Sequence, residues 1–174
     1  MVGTGATAGE FEGFLTATTG AFAVDGTVNA STASAAYTAA NIILNLQTLT
    51  SDMATNISAV LRKEDLHIYM SPKTYALYVS AISTLGYVNA YNMNGDYVPV
   101  FEGYKIAVCN GMPNDQLVSA EKSNLFFGTD LISDTTKIDL LDMADRDGSD
   151  NMRLVARYSA GVQLGIGADI VHQS

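Results

Sequence analysis

Few side chains in this sequence could do chemistry. It has two histidines, His67 and His172, and one cysteine, Cys109. His67 lies in a strand-like run and His172 lies two residues from the end, so a shared acid–base or metal site is not expected. The apolar neighbours at 106–108 predict that Cys109 is a buried small hydrophobe and not a reactive thiol. One cysteine also permits no internal disulfide.

The densest group of carboxylates lies in the run DRDGSD at 145–150. Asp145, Asp147 and Asp150 are the candidate metal ligands, because hard cations such as Ca²⁺ need several oxygens from one short turn. The EF-hand pattern fails, since with Gly148 at its sixth position the first and twelfth positions fall on a methionine and a leucine. A solvated turn between two strands is the favoured interpretation. A small acidic cation-binding or hydrolytic module using these aspartates is the alternative hypothesis.

Two short motifs resemble parts of a serine-nucleophile site. Ser119-x-x-Lys122 and Ser149-Asp150-Asn151 match two of the three signatures of serine β-lactamases and penicillin-binding proteins. The third signature, Lys-Thr-Gly, is absent from the sequence. The sequence therefore indicates no catalytic residue, no cofactor and no enzyme activity.

The charge and composition of the sequence argue against some classes of partner. The net charge of −9 and pI near 4.4 argue against a nucleic acid or an anionic membrane as partner, because the overall field would repel either. Residues 27–51 carry no charge, but they are too rich in Ser, Thr, Asn and Gln for a membrane span. No Lys or Arg precedes Arg62, so no signal or transit peptide is expected.

The clearest structural signal is a long helix predicted from Thr38 to Arg62 and Lys63, with Thr38 as its cap. Six apolar residues recur at spacings of three and four and therefore share one helical face: Ile42, Leu46, Leu49, Met53, Ile57 and Val60. Such a helix would be roughly 37 Å long.

A strand and a second helix follow. The run LHIYM at 66–70 predicts a buried strand, and Ser71-Pro72 predicts a helix start with a capping hydroxyl and a proline at the first helical position. Gly86 ends this helix. Alternating residues on either side of Glu102-Gly103 predict a hairpin, whose Pro99 confines the first strand to an edge.

The flanking regions are predicted as follows. Residues 1–10 form a flexible terminus, and 11–174 form one α+β domain. Residues 11–28 are short extended pieces, and 29–36 are a loop.

Strands are expected at 124–128, 137–141 and 152–158, the last with an apolar side and a solvated side carrying Arg153 and Arg157. The alternation at 162–170 predicts another long strand, joined to the preceding one by a hairpin.

The connection at 86–97 is uncharged until its end and carries Tyr87, Tyr91, Asn92 and Met93. Two interpretations stay open: the loop folds over the core, or it is a contact surface for another subunit.

The order of these elements resembles the C-terminal part of the major capsid proteins of tailed bacteriophages with the HK97-type fold. The resemblance spans about residues 11–171. It rests on the long helix and on four segments: LHIYMSPKTYALY at 66–78, FEGYKIAV leading to NGMP at 101–113, LFFGTD at 125–130 and RLVARYSAGVQLGIGADI at 153–170.

The resemblance implies an axial domain, mainly 38–123, with the long helix, the second helix and a mixed or antiparallel sheet. A β-rich part at 124–172 would return to the peripheral domain. It also implies a capsid subunit that associates with copies of itself, with other capsid or scaffolding proteins as further partners. The protein would then reside in the virion and be assembled in the bacterial host cytoplasm.

The family's N-terminal arm, extended loop and spine helix have no counterpart upstream of the long helix. Two interpretations stay open: the sequence is a piece of a longer protein, or it is a reduced relative of the family. A phage tail or adhesin component is a further hypothesis.

The loop at 86–97 generates a testable prediction. Replacing Tyr91 and Met93 together by Asp should abolish capsomer formation and leave the monomer folded, because charge is disfavoured at the centre of an interface. Size-exclusion chromatography with circular dichroism would check this. Normal capsomers from the double variant would remove the loop from the interface.

Overall fold

The structure is a computed structural model, and it describes residues 13–15, 20–33, 36–61, 64–86, 99–129, 138–143, 148, 150–156 and 160–174. The helices are α1 (Ala21–Asp25), α2 (Ile42–Asn56) and α3 (Pro72–Thr84), with two short 3-10 turns at Lys122–Asn124 and Gly167–Asp169. The strands are β1 (Asn29–Ser31), β2 (Leu66–Met70), β3 (Val100–Phe101), β4 (Tyr104–Val108), β5 (Leu117–Glu121), β6 (Leu125–Thr129), β7 (Ile138–Asp142), β8 (Met152–Ala156), β9 (Ala160–Leu164) and β10 (Val171–Gln173).

Six strands form one mixed sheet in the order β1-β10-β5-β2-β4-β3. The β1–β10 and β2–β4 pairs are parallel and the others are antiparallel. The remaining strands form two two-stranded ribbons, β6–β9 and β7–β8, both antiparallel. The predicted α+β class with a mixed sheet is confirmed.

Helix α2 buries the predicted apolar face but is shorter than predicted. All six residues of that face are at most 3% exposed. The helix ends at Asn56, and Ile57 and Val60 reach the core from a turn in which the Val60 N–H donates to the Ile57 carbonyl. The predicted cap at Thr38 is also wrong, because 38–41 form a separate turn in which the Asn41 side chain accepts from the Thr38 N–H at 2.7 Å. Periodicity thus identified the buried face, whereas the backbone at each end is a turn.

Helix α3 begins as predicted. The Ser71 hydroxyl accepts from the Thr74 N–H at 3.1 Å, and Pro72 occupies the first helical position. After the helix, Gly86 has φ +87°, a conformation that favours glycine. The predicted strand before it, β2, lies between β5 and β4 in the sheet.

The β3–β4 hairpin is also confirmed. Glu102 and Gly103 both have positive φ, at 48° and 90°, as a tight two-residue turn requires. Strand β3 is the edge strand, and the Pro99 carbonyl accepts from the Ile106 N–H at 2.8 Å.

The structure corrects four other predictions. Residues 21–25 are a short helix and not an extended piece, and 29–31 are a strand within the stretch predicted as a loop. Strand β5 was not predicted; all five of its residues are buried, including the polar Ser119 and Glu121. The predicted hairpin between the two closing strands is wrong, since β8 pairs with β7 and β9 pairs with β6. The alternation at 162–170 spans a break, after which β10 enters the six-stranded sheet.

Both faces of the six-stranded sheet are covered. On one face, α2 and α3 pack on alternate residues of the central strands, including Ile68, Met70 and Leu117. On the other face, Phe14 and Phe22 from the N-terminal segment pack with Val118 and Ala120 of β5. The central strands therefore form the core on which the helices and the N-terminal segment pack.

Asn124 joins the sheet to the β6–β9 ribbon. Its side chain donates to the Ile166 carbonyl and accepts from the Ile166 N–H, both at 2.7 Å. A Cβ on Gly165 would lie 2.7 Å from the Asn124 side-chain oxygen, so only glycine fits there without a shift. The side-chain amide of Asn124 thus makes the two hydrogen bonds to Ile166 that a neighbouring strand would make, at the point where the chain passes from β9 to β10.

We expect Asn124→Ala to lower the free energy of unfolding by on the order of 1–3 kcal/mol, because the Ile166 N–H loses its partner and the Ile166 carbonyl keeps only the Asp169 N–H at 3.3 Å. Urea denaturation would measure the change. Asn110→Ala, at an exposed turn, is the control and should cost much less. Equal losses in the two variants would contradict the assigned role.

Candidate assembly surfaces

Several residues singled out from the sequence lie outside the described part of the chain. The predicted subunit contacts Tyr87, Tyr91, Asn92 and Met93 are among them, as are Asp145 and Asp147 of the carboxylate cluster. Asp150 is described and exposed. Among the described residues, no group of three or more His, Cys, Asp or Glu could hold a metal ion. The loop contact and the cation site therefore stay predictions.

The β7–β8 ribbon exposes an apolar face. Leu140 pairs with Leu154 at the middle of the register, and Met152 lies two residues from Leu154 on the same side. These three side chains are 63%, 66% and 69% exposed for Leu140, Leu154 and Met152 respectively. The sequence predicts that the apolar side of β8 is buried and that Arg153 is solvated. In the structure Met152, Arg153 and Leu154 are all exposed, so both sides of β8 face solvent at these positions. Alternation identifies residues that share a face, but it does not show that the same chain covers that face.

The β6–β9 ribbon is uncovered in a similar way. Phe126 and Phe127 are consecutive and so point to opposite faces, yet they are 55% and 45% exposed. Such exposed aromatic residues are enriched in protein–protein contacts. The Phe-Phe pair is visible in the sequence, but the sequence pattern does not show whether the two rings are buried or exposed.

These ribbons contrast with the six-stranded sheet, in which β5 is buried on both faces and β2 is buried on one face and half-buried on the other. Exposed large apolar side chains grouped on a surface mark contacts with other molecules. The two ribbons are therefore the candidate assembly surfaces of the described chain.

Comparison with solved structures gives the fold a context. A chain from Mycobacterium phage Che8 matches with a TM-score of 0.60 at 16% identity, over 91% of this chain and 58% of that one. A virus-like particle from Pyrococcus furiosus matches with a TM-score of 0.50 at 13% identity, over 85% of this chain and 56% of that one. The fold is shared with virus-related chains.

At these identities the similarity shows the fold alone, and the chain spans less than two thirds of the length of either neighbour. No family model matches the sequence, and no curated protein matches it. None of the described helices is long and apolar enough to cross a bilayer.

The described groups considered for chemistry differ in burial. Ser119 is fully buried in β5, whereas Lys122 of the same motif is exposed. The His67 ring contacts the Asp65 carbonyl at 2.6 Å through Nδ1, in agreement with the structural role predicted for it. Cys109 is half-buried, and burial raises the pKa of its thiol.

His172 lines a cavity of about 340 Å³ on the side of the sheet covered by the N-terminal segment. Its ring meets Phe22 edge-on at a centroid distance of 5.7 Å, and its Nε2 has no hydrogen-bond partner among the described residues. Burial lowers the pKa of His172 below its ordinary value of 6.5, since the charged ring would lose solvation. The imidazole is therefore neutral at pH 7.

This burial predicts a pH dependence of stability. As pH falls below about 6.5 the unfolded chain takes up the His172 proton before the folded chain does, so the free energy of unfolding should fall. Urea denaturation between pH 7.5 and 5 would measure the slope. His172→Gln should flatten it, and an unchanged slope in that variant would contradict the assignment.

Proposed function

We propose that this chain is a structural subunit of a viral capsid, built on an HK97-type fold, and that it associates with copies of itself to enclose DNA. The observation that carries the proposal is the fold shared with a virus-like particle at a TM-score of 0.50 and with a phage chain at 0.60. The region at 38–123 would be the axial domain, packed around the five- and six-fold positions of the shell, and 124–172 would belong in part to the peripheral domain.

The surface of the chain supports self-association. Two ribbons present apolar side chains to solvent, and apolar residues at the centre of a contact are typical of stable homo-oligomers. The net charge of −9 is compatible with a shell that encloses DNA without binding it tightly. The six-stranded sheet, which has side chains packed on both faces, is the core to which the two ribbons are attached.

In this proposal the work of the protein is geometric and not catalytic. The chain needs no cofactor, and its partners are copies of itself, with other capsid or scaffolding proteins as additional ones. Its location is the virion, after assembly in the host cytoplasm. The separation of Ser119 from Lys122, one buried and one exposed, is in keeping with a role that involves no nucleophile.

Light scattering and electron microscopy of the purified chain test the proposal. For the chain alone we expect masses that are multiples of 18.4 kDa and rise with concentration. Closed particles in the micrographs are expected from the chain together with the upstream region that would supply the arm, the extended loop and the spine helix. A chain that stays at 18.4 kDa over the whole accessible concentration range would contradict self-association.

A pair of variants makes the same test specific. Phe126→Ser removes an exposed aromatic side chain from the β6–β9 ribbon and should reduce the assembled fraction. Val24→Ser, at a site 71% exposed on α1, is the control and should assemble normally. Circular dichroism should show that both variants are folded.

A further inference from the structure

The cavity beside His172 has two polar atoms in its wall that the described chain leaves without a partner. These atoms are Nε2 of His172 and Oε1 of Gln116, and both are buried. The cavity holds about 340 Å³ and lies on the sheet face that the N-terminal segment covers. Because a buried polar atom without a hydrogen bond costs free energy, a molecule that bonds to these atoms would bind favourably.

The pairing of β5 with β10 brings the two polar side chains together. His172 of β10 is opposite Val118 of β5, and Gln116 lies two residues before Val118. Side chains two residues apart point to the same side of a strand, so His172 and Gln116 lie on one face at diagonal positions, roughly 7 Å apart. One ligand can therefore contact both side chains.

Most of the remaining wall is apolar and partly aromatic. Phe14, Leu15, Phe22 and Val28 line the cavity, and the Phe22 ring meets the His172 ring edge-on. Aromatic walls of this kind favour planar aromatic ligands, which pack against them in offset-stacked or edge-to-face arrangements. The volume is near the lower end of the range of about 300–1,000 Å³ for small-molecule sites, so it suits one ring or two fused rings.

The side chains known to line the cavity carry no charge at neutral pH. His172 is neutral, and the other polar ones are two amides and a hydroxyl. One of the amides, Asn29, is already engaged, since its nitrogen donates to the Ala168 carbonyl at 2.7 Å and to the Ile170 carbonyl at 3.1 Å. An ionised ligand would lose solvation there without gaining a charged partner. The wall therefore suits an uncharged ligand.

We propose that this cavity binds a small, uncharged aromatic molecule that carries an N–H or O–H donor. The side-chain oxygen of Gln116 only accepts hydrogen bonds, so the ligand must supply the donor. Nε2 of the neutral His172 ring pairs with either a donor or an acceptor, according to the tautomer. The terminal torsion of a Gln side chain is broad, so a small rotation turns the oxygen toward the ligand. This site goes beyond the proposed function and is separate from the two ribbons.

Indole is the probe for this site, since it is uncharged, has two fused rings and carries one N–H donor. The sequence contains no Trp, so the fluorescence of indole excited beyond the absorption of tyrosine reports binding without a protein background. We expect saturable binding to the 174-residue chain. Benzofuran has the same shape and no donor, so in competition it should bind about tenfold more weakly.

Two substitutions test the role of Gln116 and of the cavity. Gln116→Leu keeps a side chain of similar size and removes the acceptor, so it should abolish the preference for indole over benzofuran. Gln163→Leu, at an exposed position of β9, is the matched control and should change neither affinity. Ala30 lines the cavity and pairs with His172, so Ala30→Leu should weaken the binding of both compounds. Circular dichroism should show that all three variants are folded.

The two histidines report where indole binds. In a nuclear magnetic resonance titration, the imidazole C–H signals of His172 should shift much more than those of His67, which is absent from the described wall of the cavity. Shifts at His67 without shifts at His172, or no saturable binding up to the solubility of indole, would overturn the site. Equal affinities for indole and benzofuran, or equal effects of the two Gln variants, would overturn the proposed class of ligand.

Discussion

The contact between helix α2 and the six-stranded sheet is the interaction on which the rest of the structure depends. Ile42, Leu46, Leu49 and Met53 are fully buried, and they face sheet residues from strands far apart in sequence, including Val171 near the end of the chain. Complete burial of one such side chain is worth about 1.5–3 kcal/mol relative to exposure. The helix therefore holds together strands that local contacts alone would not assemble.

A buried polar network fixes the last strand within this arrangement. Gln173 is fully buried; it accepts from the Tyr37 hydroxyl at 2.9 Å and donates to the Ser31 hydroxyl at 3.2 Å and to the Asn45 carbonyl at 3.3 Å. The Ser31 hydroxyl in turn donates to Asp52 of α2 at 2.5 Å. Because a slip of one residue would move Gln173 to the opposite face and leave these groups unpaired, the network specifies the register of β10 between β1 and β5.

Sequence patterns predicted the parts of the fold whose signals are local. The apolar face of α2, the Ser71-Pro72 start of α3 and the Glu102-Gly103 turn each depend on neighbours within a few residues, and each is present. Strand β5 is buried on both faces although Ser119 and Glu121 are polar, and β9 pairs with β6 residues that lie 31 to 39 positions earlier in the chain. Long-range pairing of this kind leaves no periodic trace in the sequence.

The candidate surfaces were harder to predict, for a related reason. Alternation in β8 correctly places Leu154 and Met152 on one side, but the same pattern arises whether the covering layer is intramolecular or intermolecular. In the alternating run at 162–170, by contrast, Leu164 is buried by its own chain, although Ile166 of the same run is 58% exposed. Only the three-dimensional arrangement distinguishes the two cases.

The proposed function requires an acidic chain to associate with copies of itself. A net charge of −9 opposes contact between identical molecules at every distance within the Debye length, about 8–10 Å at physiological ionic strength. Association then requires surfaces where apolar area is concentrated and where charges of both signs are close together. The exposed apolar side chains of the two ribbons meet the first of these conditions. A small contact of this kind is weak by itself, and weak contacts repeated around a closed assembly allow misplaced copies to dissociate before the structure is completed.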